Sequence, residues 1–298
     1  MTAPRSDLRI DLHLHTTASD GRLSPSALVA LAAGAGVGVM SVTDHDTVAG
    51  LADARAAAAI HGLRLIDGIE ITAVDGGRDI HVLGYFFDPD DAALRTFLEK
   101  QRRARIDRVR EIAGRLETLG CPIDVEALLA AAPTTSGRSV GRPLVADALV
   151  ASGHASDRRD AFDRLLGNDR PAFVARCGPD VAEVVEVIGR AAGIASLAHP
   201  GLLGDDDRIP AFAATGLAAI EVRHRDHSPS DEARYRGLAA DLGLAVTGGS
   251  DFHGPYDARD RASACPGSVS LDSADLIALE ARKPARASDT VRKANPRS

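Results

Sequence analysis

Residues 11–21 read DLHLHTTASDG, and the fold turns on how this stretch is read. With the three residues before it, LRIDLHLH (8–15) alternates with period two, which predicts a strand. Asp11, His13 and His15 then share one face, and Ile10, Leu12 and Leu14 the other. A strand bound for a core gains nothing from two imidazoles at i and i+2. Side chains on one face stand about 7 Å apart and a metal–nitrogen bond is about 2 Å, so two such rings can converge on one ion. The plain alternative is a pair of surface histidines on an edge strand, and the rest of the chain decides between them.

Outward from this strand the pattern is α/β. SPSALVALAAGAG (24–36) predicts a helix with Ser24 as N-cap and Pro25 at the first helical position. VGVMSVTD (37–44) reads as a strand, TVAGLADARAAAAIHG (47–62) as a helix, and LRLIDGIEIT (63–72) and DIHVLGYFF (79–87) as two more strands. From about residue 90 to 176 the pattern becomes helical. The long run 94–120 carries an apolar stripe at Ile106, Val109, Ile112, Ala113 and Leu116, with Gly120 as its cap. Segments 124–132, 142–153 and 156–167 continue it as an inserted helical subdomain. Strands and helices alternate again in 181–193, 194–200, 216–223, 230–243 and 244–254. Alternation of this kind predicts a parallel sheet or barrel. The expected division is therefore a discontinuous barrel, 1–89 with 177–282, a helical insert, 90–176, and a polar, disordered tail, 283–298.

The 298 residues are 45% hydrophobic but only 3% aromatic, so aliphatic side chains do the packing. Basic residues are almost all Arg; Lys occurs only at 100, 283 and 293. A net charge of −7 disfavours broad binding to long nucleic acid or anionic membrane. Cys121, Cys177 and Cys265 form no C-x-x-C pair and read as reduced thiols. With no apolar signal core at the N-terminus and no window of membrane-spanning length, the expected location is the cytoplasm.

His, Asp and Glu gather at the predicted strand ends: His13, His15 and Asp20; His45 in VTDHDT; Glu70 in DGIEIT; His81 in DIHVLGY; His199 in SLAHPG; Asp251 and His253 in GGSDFHG. Six of the ten histidines belong to this set. In (β/α) barrels the C-terminal strand ends form the active site. Six imidazoles and three carboxylates in one mouth repel and desolvate badly without cations. Two or three divalent metals, with one carboxylate bridging, resolve that conflict.

In this order, DLHLHTTASDG, VTDHDT, GIEIT, HVLGY, AHPG and GGSDFHG resemble the successive motifs of the PHP (polymerase and histidinol phosphatase) family. The insert, with GRPLVADALVASGH and RPAFV, and then HRDHSPS, is similar to a PHP subgroup of small phosphoesterases that includes 3′,5′-nucleoside bisphosphate phosphatases and a 5′-to-3′ exoribonuclease of short RNA. The resemblance implies a distorted (β/α)7 barrel with the inserted helical subdomain and a trinuclear centre. One metal would take His13, His15, Glu70 and Asp251, which activate the attacking water. A second would share Glu70 and take His81 and His199. The third would take Asp20, His45 and His253. One position departs from the subgroup: where it usually reads GRPH, this chain has GRPL, with Leu144 in place of His.

The chemistry implied is phosphate ester hydrolysis by a metal-bridging hydroxide. Mixed imidazole and carboxylate ligands suit Mn²⁺, the leading expectation, and also Zn²⁺ or Fe²⁺. Arg142 and His227 are the substrate-phosphate candidates. The Arg-rich run QRRARIDRVR (101–110) reads as a solvated helix face, VRHRDH around His224 as a wet loop, and Asp44 and Asp46 as orienting His45. The expected substrate is small and phosphorylated, first the 3′-phosphate of a 3′,5′-nucleoside bisphosphate. Alternatives are exonuclease action on short RNA, a histidinol-phosphate-type phosphatase, an amide hydrolase, or a non-catalytic metal-binding module.

Overall fold

The computed structural model describes residues 8–131, 139–255 and 265–284. Seven strands lie in one sheet in chain order: β1 (Arg9–Asp11), β2 (Val37–Val42), β3 (Arg64–Asp75), β4 (Arg78–Tyr85), β5 (Ile194–Leu197), β6 (Ala219–His224) and β7 (Ala245–Gly249). The helices are α1 (Pro25–Gly34), α2 (Leu51–His61), α3 (Ala92–Thr118), α4 (Val125–Ala131), α5 (Arg142–Ala151), α6 (Arg158–Ala161), α7 (Val181–Arg190), α8 (Ile209–Ala213), α9 (Pro229–Asp241) and α10 (Ser273–Glu280). The ends of the sheet meet. Leu12 N–H donates to Gly248 O at 3.2 Å, and Leu14 bridges Phe252 in parallel. The result is the distorted (β/α)7 barrel with a helical insertion.

Local chemistry sets the helix ends. Ser24 Oγ accepts from Ala27 N–H and Pro25 opens α1, as the sequence predicts. Asp91 caps α3 through Leu94 N–H, and Gly120, at φ 74°, ends it. Asp180 and Glu183 form a reciprocal capping box on α7.

Two departures from the sequence reading matter for the site. First, only Arg9–Asp11 pair in the ladder with β2, while 12–15 run on, buried, toward the segment after β7. Those residues serve the closing seam rather than a second ladder. Second, β4 is antiparallel to both β3 and β5. No helix separates β3 from β4; Gly76 and Gly77, at φ 57° and 80°, make a two-residue hairpin between Asp75 and Arg78. Positive φ at both central positions is the primed turn that matches strand twist. His81 therefore reaches the mouth from the middle of a reversed strand, not from the end of a parallel one.

The apolar residues form two clusters. The larger joins the strands to the surrounding helices; the smaller lies among the inserted helices, with Val109, Ile112 and Leu116 of α3 facing Val145, Leu149 and Leu166. Leu94 and Leu98 at the start of α3 belong to the larger cluster. We therefore propose the division at residues 90 and 176 with α3 shared between the two bodies. From residue 285 on, the tail lies outside the described residues.

Gly249 is fixed by close approach. A Cβ there would stand 2.4 Å from His13 N and 2.5 Å from His13 Cβ. Backbone cannot give way as a flexible side chain does, so Gly249→Ala is expected to destabilise the fold by about 1–3 kcal/mol. Thermal or urea unfolding measures it, and an unchanged midpoint would show that the seam tolerates the displacement.

Candidate metal centre

The nine residues expected from the sequence come together at one end of the barrel. Glu70, on β3 and 1% exposed, sits at the centre. Its Oε2 lies 3.4 Å from His13 Nε2, 3.2 Å from His15 Nε2 and 3.1 Å from His45 Nδ1. Its Oε1 lies 2.7 Å from His81 Nδ1 and 3.1 Å from His199 Nε2. The two oxygens thus face separate groups of rings. Asp251 Oδ1 is 3.4 Å from His13 Nε2 and 3.1 Å from His15 Nε2. Asp20 Oδ1 is 3.2 Å from His253 Nε2, and its Oδ2 is 3.9 Å from His45 Nε2.

The donor set fits divalent cations. His15, Asp20, His45 and His253 offer atoms within 4.8 Å of one another, as do His13, His15 and Asp251, and His45, Glu70 and His81. Buried ring nitrogens of His15, His45, His199 and His253 have no hydrogen-bond partner. Uncompensated buried nitrogens of this kind are costly unless an acceptor of their lone pairs is bound.

Electrostatics agree. Burial alone would raise the Glu70 carboxyl, but His45, His81 and His13 outweigh it and hold the group well below the usual carboxylate range. Asp251 is held low against burial by His253 and His13, and Asp20 by His253 and His45. Burial lowers His45 to about 3, which leaves a neutral ring ready to donate a lone pair. For His15 burial opposes protonation too, yet the Asp251 and Glu70 carboxylates beside it push it up to about 10.

Backbone strain accompanies the cluster. His199, Asp251 and Asp46 take φ values of 25°, 49° and 51°, a region that non-glycine residues enter at a cost of about 1–3 kcal/mol. Neighbouring groups hold these turns. Asp44 accepts from Thr16 N–H, Thr16 Oγ1 and Ser19 Oγ at 2.8, 2.6 and 2.6 Å, and so shapes the loop that carries Asp20 rather than His45. Asp46 accepts from Thr72 N–H and pairs with Arg105 and Arg176.

Beside the ring cluster a cavity of about 200 Å³ opens between barrel and insert. Asp20, His45 and His81 form one wall; Arg105, Arg108, Arg142 and Arg176 contribute to the rest. The Arg-rich run is thus split between two faces of α3. Arg105 and Arg108, at i and i+3, turn inward, while Arg102 and Arg103 pair with Glu99 outside. Burial pushes both Arg108 and Arg176 down to about 10. Each keeps one buried guanidinium nitrogen without a hydrogen-bond partner. Arg142 is partly engaged: it donates to Asn168 Oδ1 at 3.0 Å, lies 3.6 Å from Asp79, and stacks over Phe162 and Phe173.

Three positions sit differently from their sequence reading. His227 is outside this cavity, and both its nitrogens are engaged within the chain: Nδ1 with Val222 O at 2.8 Å, and Nε2, which accepts from Gly201 N–H at 3.1 Å. Its ring ties the loop after β5 to β6, so in this arrangement neither nitrogen is free for a phosphate. Leu144 packs against the insert's own core, while the cavity is lined by its neighbours Gly141, Arg142 and Pro143. His224 is not in a wet loop but 2% exposed, close to His13.

The comparisons join this geometry to known proteins. A match to the PHP domain spans residues 11–122. A 5′-3′ exoribonuclease of Haemophilus influenzae is 36% identical over 252 residues, which cover 83% of this chain and 90% of that protein. The chain belongs to the PHP family. A 3′,5′-nucleoside bisphosphate phosphatase of Chromobacterium violaceum is 33% identical over 83% of this chain and 87% of its own. A solved structure from Bifidobacterium adolescentis, named for metal-dependent phosphoesterase activity, superposes with a TM-score of 0.83 at 32% identity over 93% of this chain and 97% of that one. PHP relatives of this kind are hydrolases of phosphate esters. Among the described residues no helix is long and apolar enough to cross a membrane.

Proposed function

We propose that this chain, a metal-dependent phosphoesterase of the PHP family, removes the 3′-phosphate from 3′,5′-nucleoside bisphosphates. The observation that carries the choice of substrate is the arginine-lined cavity beside the nine-residue cluster. A site for one phosphate needs the cluster alone. Half-buried Arg108 keeps a nitrogen without a hydrogen bond in the adjoining space, and buried Arg176 shares the single Asp46 carboxylate with Arg105, a surplus of positive charge that favours a second anion. The Chromobacterium relative is named for such a substrate.

In this reading His13, His15, Glu70 and Asp251 hold one divalent ion, Glu70 with His81 and His199 a second, and Asp20, His45 and His253 a third. Mn²⁺ is the first candidate for the two to three ions, with Zn²⁺ or Fe²⁺ as the others that this donor set accepts. Ions bound there lower the pKa of a water and neutralise phosphate oxygens. The protein's part is to orient. Glu70 turns one oxygen to each half of the cluster, the strained turns at His199 and Asp251 aim their side chains inward, and the arginines fix the far phosphate so that the near one presents its ester. Arg142, beside Arg108 and Arg176, contributes charge to that grip.

Exonuclease action on short RNA is the second reading, supported by the Haemophilus relative. Single-strand binding uses free aromatic faces for base stacking. Phe162 lines this site, and Arg142 lies over its ring and over that of neighbouring Phe173. That favours the small nucleotide. Free Cys121, Cys177 and Cys265 support a reducing, cytoplasmic setting.

The test is phosphate release from a 3′,5′-nucleoside bisphosphate and from histidinol phosphate, and mononucleotide release from a 5′-phosphorylated short RNA, each with Mn²⁺ and after chelation. The bisphosphate is expected to be turned over fastest, and chelation to abolish all turnover. Faster cleavage of the RNA would replace the reading with the exonuclease, and preference for histidinol phosphate would remove the second anion from it. Full activity in the chelated protein would end the metal assignment.

A further inference from the structure

Behind the nine residues lies a buried pair that the cluster does not include. Glu221, fully buried on β6, takes His13 Nδ1 at 2.9 Å on one oxygen and the backbone N–H of His199 at 2.7 Å on the other. His224, three residues on, places Nε2 at 3.5 Å from Asp251 Oδ2. In a regular strand residues i and i+3 point to opposite faces. Here the β6–β7 register shifts between Glu221 and Arg223, and that bulge brings both side chains inward. The tautomers follow from the partners. The Glu221 carboxylate accepts, so the His13 proton is on Nδ1, and Nε2 faces Glu70 and Asp251. His224 Nδ1 accepts from Asp226 N–H at 3.2 Å, so its proton is on Nε2, which has no hydrogen-bond partner and lies 3.5 Å from Asp251 Oδ2.

We propose that Glu221 and His224 are positioning residues for the metal centre: Glu221 fixes the ring of His13 and the strained turn of His199, and His224 fixes the outer oxygen of Asp251. This rests on the metal reading above. It makes the bulge in β6 the device that aligns three ligands from three different strand ends, those after β1, β5 and β7. Glu221 serves two of them at once, one through the ring and one through the backbone. A Gln cannot replace it: with its oxygen toward His13 its NH₂ meets the His199 N–H, donor against donor, and with the amide turned its NH₂ meets His13 Nδ1 and drives the ring proton to Nε2, on the side of Glu70 and Asp251.

The experiment uses the full chain and Mn²⁺ alone, titrated into ion-free protein and followed by equilibrium dialysis with elemental analysis. Co²⁺ loading is read in parallel through its visible absorption, which reports ligand geometry. Glu221→Gln is expected to weaken the Mn²⁺ ion at His13 about 10- to 100-fold and to shift the Co²⁺ bands. His224→Phe, which keeps the ring volume, is expected to weaken it about 10-fold. The melting temperature of each ion-free variant separates loss of alignment from loss of fold, and if Glu221→Gln fails to fold, His224→Phe carries the test. Wild-type Mn²⁺ affinity with an unshifted Co²⁺ spectrum in the folded variants overturns the proposal while leaving the metal centre standing. Absence of Mn²⁺ and Co²⁺ binding in the unmodified chain overturns both.

Discussion

Glu70→Gln is expected to lower turnover by about 150- to 5,000-fold. The carboxylate is buried at the centre of five imidazoles and turns one oxygen to His13, His15 and His45 and the other to His81 and His199. Gln keeps the shape but removes the charge and sets an NH₂ against ring nitrogens. Removing one partner from a buried charged contact costs about 3–5 kcal/mol, which corresponds to that range of rate. Metal analysis of the same variant is expected to show fewer ions per chain. Wild-type kinetics with a full complement of ions would take Glu70 out of the bridging position.

Arg108→Ala and Arg176→Ala are each expected to raise KM for a bisphosphate about 10- to 150-fold, with metal content unchanged. A hydrogen bond to a charged group contributes about 1.5–3 kcal/mol. Each guanidinium group keeps one nitrogen out of water without a hydrogen bond, that of Arg176 3.6 Å from Asp46, so a second phosphate meets donors that have already lost part of their hydration. Arg142→Ala is expected to do less, since Arg142 must loosen its contacts with Asn168 and Asp79 before it turns to a substrate. Arg176→Lys recovers part of the loss, because an ammonium lacks the planar two-point contact. Steady-state kinetics on a bisphosphate and on the matching monophosphate separate the cases. An equal effect on both substrates would mean that the arginines hold the insert in place and leave the second phosphate to other groups.

The sequence shows the cluster more readily than the walls around it. His13, His15 and Glu70 lie in period-two runs, and His199 and Asp251 follow short apolar strands, so each side chain has a local context that aims it. The reversal of β4 has a weak local sign, the Gly76–Gly77 pair between two alternating runs, which a reading built on β–α alternation passes over. The bulge that turns Glu221 and His224 inward depends on how β6 registers against β7, and nothing in EVRH states it. The arginines show the limit most clearly. Along α3, Arg102, Arg103, Arg105 and Arg108 look alike, and only the packing of insert on barrel decides which two face a cavity.

The seam between the first and last strands sets an order of events. Ser250 N–H donates to Asp11 Oδ1 across 239 positions of chain, and Leu14 is bridged to Phe252. Closing a loop of that length costs about 5 kcal/mol of chain entropy, repaid only once both ends are present. His13 and His15 are synthesised well over two hundred residues before Asp251 and His253, which reach them only after the barrel shuts. A nascent chain still lacking β7 therefore carries these histidines and Glu70 without Asp251. In the proposed centre, an ion held between these residues would be captured late in maturation and would latch the closed barrel.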